Sequence, residues 1–270
     1  MAAKKQYTAF QWKCFMAFLM VLDHLPYIPG LVPPTVTGIF HVLTRCVGVW
    51  FAYLAVEGFL HTKSRVRYMA RLFVWAGIMA LGNALYNTIG ASRGLHLSNN
   101  IFLTLALGVL MLNILVGSNP ATQWGVRPRS AGEWTLRLFG VILVLAASLF
   151  SEGGILILPF LLITYLCRER MVLRNVLYFA LSAVLFLLVF VPYPTAQETL
   201  QMLAFNSDFL FITVLPVLSH YDGTRGPNTK GSKYFFYVFY PLHLWVIGIL
   251  ALCQCGHSCR GLQYPCGNGR

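Results

Sequence analysis

Long apolar runs separated by short polar segments are the dominant pattern of this chain. Runs of roughly 15–22 apolar residues predict helices that cross a bilayer, where every backbone polar group must be satisfied within the segment. We count about nine such runs, at 9–27, 37–60, 68–89, 100–117, 135–151, 153–167, 173–192, 199–219 and 233–253. The pattern therefore predicts an all-α, polytopic membrane helical bundle with about nine transmembrane helices.

Ionisable residues interrupt several of these predicted spans. They include Asp23, His24, Arg45, Glu57 and His243. An ionisable group at membrane depth costs at least ~2.5 kcal/mol on insertion scales, so such residues usually mark a site or a pathway. Their distribution over different spans predicts a polar cavity enclosed by the helices.

The composition agrees with a bilayer setting, since 57% of the residues are apolar and only 10% are charged. The formal net charge is +12, and its placement is more informative than its size. The predicted loops on one side carry most of the cations, whereas those on the other side carry only Arg93, with Arg260 and Arg270 in the tail. This positive-inside pattern places the amino terminus in the cytoplasm. It also accounts for the basic excess, so nucleic acid is not a predicted partner.

The sequence predicts one transmembrane domain, residues 1–253, and an extracytoplasmic Cys/Gly-rich tail, residues 254–270, which we expect to be disordered. The C-terminal region contains Cys253, Cys255, Cys259, Cys266 and His257. These residue types can hold a metal ion or form disulfides, but their spacing fits no zinc pattern. No metal site is predicted.

Asp23 and His24 lie towards the outer end of the first span, and Arg45 lies at a comparable depth in the second. An Asp23–Arg45 pair across antiparallel neighbours would lower the cost of both charges. It would leave His24 beside a polarised pair, where an imidazole can act as a general base near neutral pH. Contact of Asp23 and His24 with lipid headgroups is the alternative interpretation.

Glu57 and His61 are four residues apart and share a helix face at the cytoplasmic end of the second span. Glu57 follows a long apolar stretch, too deep for an ordinary surface carboxylate. The two residues either line the entrance of a site or form an interfacial ion pair that fixes the depth of the helix.

The last span contains Tyr240, Pro241 and His243, with His243 ~15 Å from Lys233 along the helix. Pro241 removes a helical hydrogen bond and predicts a kink that opens backbone polar groups to a cavity. The kink and the tyrosine favour a site over a simple interhelical hydrogen bond from His243. Asp208, in the eighth span, is another candidate for lining the cavity.

Residues 220–233, with the sequence HYDGTRGPNTKGSK, form a predicted cytoplasmic loop that contains three glycines and three cations. We name this segment the cationic strap and expect it to be flexible. It does not match a Walker phosphate loop, because Gly231 is followed by Ser232 and then Lys233. Backbone amides and cations suit a polyanion, but any loop that obeys the positive-inside rule is cationic.

Several of these segments, in this order, resemble the TraX family of integral-membrane acetyltransferases over roughly residues 12–250. The resemblance is carried by Asp23-His24, Arg45 with Gly48, EGFLHT at 57–62 with Arg71-Leu-Phe73, NIFLTLALG at 100–108, YDGTRG at 221–226 and KYFFYVFYPLHL at 233–244. TraX acetylates the amino terminus of a conjugative pilin, and related membrane acyltransferases take acyl groups from cytoplasmic acyl-CoA. The chain departs from the family pattern around Ser151–Gly154 and in the tail.

The resemblance implies a multi-pass enzyme of the bacterial inner membrane that moves an acetyl group from cytoplasmic acetyl-CoA, its co-substrate, to an acceptor amine or hydroxyl. A pilin amino terminus, a surface glycan and a peptide all fit as acceptors. On this expectation His24 is the general base, Asp23 orients it, and Arg45 fixes that carboxylate. His243 is either an alternative base or a donor to the thioester oxyanion. The residues expected to contact acetyl-CoA are Glu57, His61, Arg65, Arg67, Arg225, Lys230, Lys233 and Tyr240.

A transporter or channel is the competing class of protein. In that class Asp23, Arg45, Glu57 and Asp208 would line a proton or solute path. No inverted repeat of the kind common in secondary transporters is visible in the sequence. A transport function also leaves the glycine-rich cationic strap unexplained. A structural component of pilus or secretion assembly is a third class.

Overall fold

The structure, a computed structural model, describes residues 6–117 and 130–258, with side chains up to Gln254. All the helices and strands assigned in this part of the chain are helices, and it contains no β-strand. Its α-helices are α1 (Ala9–His24), α2 (Pro34–Thr44), α3 (Cys46–His61), α4 (Arg65–Gly90), α5 (Ile101–Val116), α6 (Ala131–Ser148), α7 (Gly154–Leu166), α8 (Met171–Val189), α9 (Ala196–Phe205), α10 (Val214–Ser219) and α11 (Lys230–Ser258). Short 3-10 segments occupy Leu25–Tyr27, Ala91–Arg93 and Ser207–Thr213.

Five helical segments of the described chain are long and apolar enough to cross a membrane. They are Pro34–His61, Arg65–Arg93, Ala131–Ser148, Met171–Val189 and Lys230–Gln254. A sixth is obtained if α9 and Ser207–Ser219, which are bent by 64°, form one span. These helices support a multi-pass membrane protein, whereas the count of about nine spans and the cytoplasmic amino terminus are not confirmed.

Three predicted spans correspond to helices that are short for a hydrocarbon core, which needs ~20 residues. Helices α1 and α5 have 16 residues each, and α7 has 13. Each of these runs is helical, as predicted. The difference is one of length, because each apolar run in the sequence extends past the end of its helix.

The predicted span at 199–219 is not one straight helix. Helix α9 ends at Phe205, the chain continues as the 3-10 segment Ser207–Thr213, and α10 follows. Hydropathy does not reveal such a break, because the apolar residues continue across it. Irregular backbone at membrane depth is tolerated where it is buried in protein or lines a cavity.

The span predicted at 37–60 is divided between α2 and α3 at Arg45. The backbone of Arg45 is still helical, with φ −57° and ψ −25°. The two helices therefore act as one segment of 28 residues.

The chain divides into two compact units. Of the described residues, the first comprises 6–47, 80–98 and 185–258, and the second comprises 48–79, 99–117 and 130–184. Helix α11 continues to Ser258, and residues 259–270 of the predicted tail lie outside the described residues. In the described chain no group of three or more His, Cys, Asp or Glu residues is positioned to hold a metal ion.

In the first unit, α1 packs against α2 and α11, and α2 packs against α9. The C-terminal half of α4 lies close to α11 because Gly82 leaves room for the Trp245 indole, which a Cβ would approach to 2.1 Å. Trp245 Nε1 donates a hydrogen bond to Asn83 Oδ1 at 3.2 Å. Tyr86 donates its hydroxyl to the Gly248 carbonyl at 3.1 Å. These contacts hold α4 and α11 side by side near their C-terminal ends.

In the second unit, α5 packs against α6 and α7. The Phe160 ring of α7 stacks on Tyr178 of α8, with centroids 4.5 Å apart. The hydroxyls of Thr164 and Tyr178 lie 2.6 Å apart and share a hydrogen bond. Aromatic packing and buried hydroxyl pairs therefore join α7 to α8.

Candidate active site

Two histidines from different helices meet inside the first unit. His24, the last residue of α1, and His243 of α11 are both buried, and their ring centroids lie 5.1 Å apart. His24 Nδ1 lies 2.7 Å from the Met20 carbonyl oxygen and 3.3 Å from His243 Nε2. His243 Nδ1 lies 3.0 Å from the Phe239 carbonyl oxygen. Each ring is thus tied to the backbone of its own helix, one turn earlier.

The hydrogen-bond network assigns the neutral tautomer of each ring. A carbonyl oxygen only accepts, so both histidines carry their proton on Nδ1. His24 then shares its Nδ1–H between the Met20 carbonyl and the Nε2 lone pair of His243. His24 Nε2 makes no hydrogen bond to the described part of the chain, so its lone pair is not used there. Of the two rings, His24 therefore has the available basic nitrogen.

Aromatic side chains surround the histidine pair. The Tyr27 ring lies edge-on to His24 with a centroid distance of 5.2 Å. Phe239 stacks on His243 at 5.0 Å, and Tyr240 lies edge-on to it at 5.6 Å. Tyr240, expected from the sequence to contact acetyl-CoA, is buried next to His243. The orientation of the pair is therefore set by packing as well as by hydrogen bonds.

A network of charges lies beside the histidine pair in the same unit. The predicted Asp23–Arg45 pair is present, with Nη2 of Arg45 3.2 and 3.3 Å from the two Asp23 carboxylate oxygens. Thr44 Oγ1 donates to the same carboxylate at 2.6 Å. Nη1 of Arg45 contacts Asp208 Oδ1 at 3.0 Å. One guanidinium thus joins the end of α1 to the irregular segment that follows α9.

The structure differs from the prediction that Asp23 orients His24. Consecutive residues of a helix point ~100° apart. The Asp23 carboxylate accordingly contacts Thr44 and Arg45, whereas the His24 imidazole contacts Met20 and His243. The two side chains belong to separate networks.

His41 is a site residue that the sequence reasoning missed. Its Nε2 lies 2.8 Å from the Phe205 carbonyl oxygen, and its Nδ1 lies 3.1 Å from Arg45 Nη2. A neutral ring protonated on Nε2 satisfies both contacts, by donating to Phe205 and accepting from Arg45. The signal was available, because His41 and Arg45 are four residues apart and therefore share a helix face.

The cationic strap is anchored to the segment that precedes α1. Tyr7 N donates to the His220 carbonyl at 2.8 Å, Asp222 N donates to the Tyr7 carbonyl at 3.1 Å, and Ala9 N donates to the Thr224 carbonyl at 2.8 Å. The strap, expected from its composition to be flexible, is therefore attached to the start of α1.

This attachment brings several cationic side chains together where α1 and α11 begin. Lys13 of α1 lies close enough to Arg225 for their charges to interact. Arg225, Lys230 and Lys233 are exposed. The carboxylate of Asp222 is engaged locally, since it accepts from the Thr224 amide at 2.7 Å. The cluster is suited to a polyanion.

The cationic cluster and the histidine pair lie at opposite ends of the same two helices. Helices α1 and α11 pack against each other. His24 lies ~17 Å along α1 from Lys13, and His243 lies ~15 Å along α11 from Lys233. The two helices thus run in parallel from the strap to the histidines.

The other four residues expected to contact acetyl-CoA belong to the second unit. Glu57 and His61 share a face as predicted, with Oε2 and Nδ1 3.8 Å apart. Arg65 is fully buried, with its guanidinium 4.3 Å from the Phe59 ring centroid and Nη1 donating to the Gly117 carbonyl at 3.0 Å. Arg67 is exposed. Arg65 is therefore engaged in packing within its own unit.

The fold and this site define the chain as a helical membrane protein of the multi-pass class, with a buried histidine pair between two parallel helices. The chain belongs to the TraX family, since residues 11–251 match the family model described as TraX protein. This match confirms the resemblance seen in the sequence. No curated protein and no solved structure matches the chain.

Proposed function

We propose that this protein is an acetyltransferase of the bacterial inner membrane that transfers the acetyl group of cytoplasmic acetyl-CoA to an amine or hydroxyl acceptor. One observation carries the proposal: two parallel helices begin at a cationic cluster and bring His24 and His243 together at the other end. The co-substrate has the matching shape, a polyanionic head on a long arm. Its pantetheine arm is about as long as four to five extended residues, on the order of 15 Å.

The phosphates of the co-substrate would bind at the cationic strap. Arg225, Lys230 and Lys233 can form charge-assisted hydrogen bonds with phosphate oxygens. The positive ends of the α1 and α11 helix dipoles add to the positive charge at this place. Lys13, which the sequence reasoning did not select, contributes a fourth cation to this cluster.

The Nε2 lone pair of His24, which no described residue uses, supports its role as the general base. As the acceptor oxygen or neutral nitrogen attacks the thioester carbonyl carbon, His24 Nε2 removes the acceptor's proton. The new C–O or C–N bond forms and the C–S bond breaks. The departing thiolate then takes the proton back from His24 Nε2–H, which releases CoA thiol and restores the neutral imidazole.

His243 would act through His24 as a positioning residue. When His24 holds the transferred proton it is a cation, and its Nδ1–H bonds to the Met20 carbonyl and to His243 Nε2 become charge-assisted. The hydrogen bond from His243 Nδ1 to Phe239 keeps that Nε2 lone pair directed at His24. This role replaces the sequence-based expectation of a second base or an oxyanion donor.

The proposal is tested by measuring how fast purified protein in detergent releases CoA thiol from acetyl-CoA. A membrane extract serves as the source of the acceptor. His24→Gln should lower turnover by about 100-fold or more, since it removes the base. Acetyl-CoA binding, measured by equilibrium dialysis, should remain. Full turnover in this variant would exclude His24 from the mechanism.

The donor site is tested by the same dialysis measurement. Arg225→Ala should weaken acetyl-CoA binding by about tenfold, because it removes a charge-assisted contact. Lys63→Ala is the matched control, since it also removes an exposed cation but lies outside the strap. Wild-type protein that binds no acetyl-CoA would refute the acetyltransferase and favour a transport function.

A further inference from the structure

Cationic side chains of the second unit are concentrated at the ends of three helical segments that are long and apolar enough to cross a membrane. The segment Pro34–His61 ends there, and the segments Arg65–Arg93 and Met171–Val189 begin there. Residues 61–67 and 165–174, at these ends, contain six lysine or arginine residues and one glutamate. We name these two stretches together the basic corner. Its cations are Lys63, Arg65, Arg67, Arg168, Arg170 and Arg174.

Alternating guanidinium and aromatic groups hold the two stretches of the basic corner together. The Arg65 guanidinium lies 4.3 Å from the ring centroid of Phe59. Phe59 packs edge-on against Tyr165, with centroids 5.8 Å apart, and the Arg168 guanidinium lies 4.7 Å from the Tyr165 ring centroid. Arg65 and Arg168 are thereby close enough for their charges to interact. Two like charges held this close favour the binding of an anion beside them.

Three cations of the basic corner are available to a ligand. Lys63, Arg67 and Arg170 are exposed, and their side chains make no hydrogen bond or ion pair with the described part of the chain. The glutamate of the corner, Glu169, is exposed and lies 3.9 Å from Arg168. Six cations and one carboxylate give the corner a formal charge of +5. The corner therefore attracts anions.

Exposed apolar side chains lie directly beside these cations. Val66 precedes Arg67 and is exposed. Met171 and Val172, which follow Arg170, are exposed as well. The ends of a membrane span lie where the lipid headgroups meet the hydrocarbon. A phospholipid matches both features, since its phosphate can contact the cations while its acyl chains cover the apolar side chains. A soluble phosphate would leave the apolar side chains uncovered.

We infer that the basic corner binds the headgroup of an anionic phospholipid. The inference does not depend on the proposed acetyl transfer, because neither the histidine pair nor the cationic strap belongs to the corner. A guanidinium can donate two parallel hydrogen bonds to one phosphate group. Each lysine or arginine near an anionic membrane surface strengthens the attraction by about fivefold. The bound headgroup also offsets the repulsion between Arg65 and Arg168, so it stabilises the folded protein.

The experiment measures the thermal unfolding midpoint of the purified full-length protein in micelles of a neutral detergent. Phosphatidylglycerol is added at increasing mole fraction. Phosphatidylcholine with the same acyl chains is the uncharged comparison, and glycerol 3-phosphate supplies a phosphate without acyl chains. We expect phosphatidylglycerol to raise the midpoint, because a ligand that binds only the folded state stabilises it. The other two compounds, at the same concentration, should leave the midpoint unchanged. An equal rise with both lipids would exclude recognition of the charge, and an equal rise with glycerol 3-phosphate would show a site for free phosphate instead of a lipid.

The double variant Lys63→Gln/Arg170→Gln tests where the lipid binds. It removes two exposed charges, so the mole fraction of phosphatidylglycerol that gives half of the rise should increase by about tenfold or more. Lys63→Arg/Arg170→Lys is the matched control, because it keeps both charges at the same positions, and it should keep the wild-type value. If the glutamine variant also keeps the wild-type value, the lipid binds elsewhere on this cationic protein and the basic corner is not its site.

Discussion

At the scale of single residues, helical geometry decides which neighbours in sequence act together. Asp23 and His24 are adjacent in the chain, yet they serve different partners because their side chains leave α1 in different directions. Asp23 joins Arg45, and His24 joins His243. A polar dipeptide in a membrane helix is therefore better treated as two positions on two faces than as one dyad.

The Arg45 network predicts that its two ion pairs, with Asp23 and with Asp208, contribute unequally to stability. Arg45→Ala should lower the free energy of unfolding by ~3 kcal/mol, because it leaves the Asp23 carboxylate without its cation. The Asp23 side chain is only 23% exposed, and that of Arg45 is 17% exposed. The midpoint of thermal unfolding in detergent measures the effect.

Asp208→Asn is the control for that variant. It also breaks an ion pair with Arg45, but the Asp208 side chain is 53% exposed. Exposed ion pairs contribute at most ~1 kcal/mol. Equal shifts of the unfolding midpoint in the two variants would contradict the arrangement described for this network.

The contact between the histidines shows how much of the candidate site could be predicted from the sequence. Depth counting brought Asp23 and Arg45 to the same level, and the structure shows their contact. It placed His243 at mid-depth and His24 further out, because α11 was expected to start near Lys233. Counted from the observed starts, Ala9 and Lys230, the two histidines lie at ~22 and ~20 Å along their helices. An error of three residues in one helix boundary was sufficient to hide the pair.

At the scale of elements, the strap joins two helix starts that are far apart in sequence. Its composition predicted a loop rich in glycine and cations. The backbone hydrogen bonds to Tyr7 and Ala9 were not predictable, because they depend on which segment of the folded chain lies nearby. The same reason applies to α9, where no sequence signal placed the bend of 64°.

The attachment of the strap predicts different effects for two glycines with the same backbone conformation. Gly226 has φ +79°, and a Cβ there would lie 2.8 Å from Thr8 Oγ1 and 3.1 Å from the Phe10 Cβ. Gly226→Ala should therefore displace the strap from α1 and raise the KM for acetyl-CoA, by about tenfold if one phosphate contact is lost. Steady-state kinetics with acetyl-CoA as the varied substrate provides the measurement.

Gly223→Ala is the control that measures the effect of backbone strain alone on the KM for acetyl-CoA. Gly223 has φ +76°, but a Cβ there would meet nothing within 4 Å. Both variants have the same left-handed strain, on the order of 1 kcal/mol, and only Gly226→Ala adds a clash with α1. A KM for acetyl-CoA that rises equally in both variants would show that contact with α1 does not position the strap.

At the scale of the whole molecule, acetyl transfer across a membrane needs a donor site and an acceptor site that open to different sides. The first unit contains suitable elements at two ends. The strap lies where α11 begins at Lys230, and Arg93 Nη1 donates to the Leu252 carbonyl at 2.6 Å near its far end. These two levels of α11 are ~33 Å apart, comparable with a hydrocarbon core of ~30 Å. The donor and acceptor would then approach the histidine pair from opposite directions.

This polarity predicts opposite accessibility for two exposed positions, Asn228 in the strap and Ser92 in the turn after α4. In a chain whose native cysteines are replaced by serine, Asn228→Cys should react with a membrane-impermeant maleimide only after the cells are opened. Ser92→Cys should react in intact cells, since the positive-inside rule predicts that the cation-rich side faces the cytoplasm. Labelling of both positions in intact cells, or of neither, would place them on one side of the membrane. The strap and the turn after α4 could then not serve opposite sides of the membrane, whereas a reversed pattern would expose the strap to a compartment without acetyl-CoA.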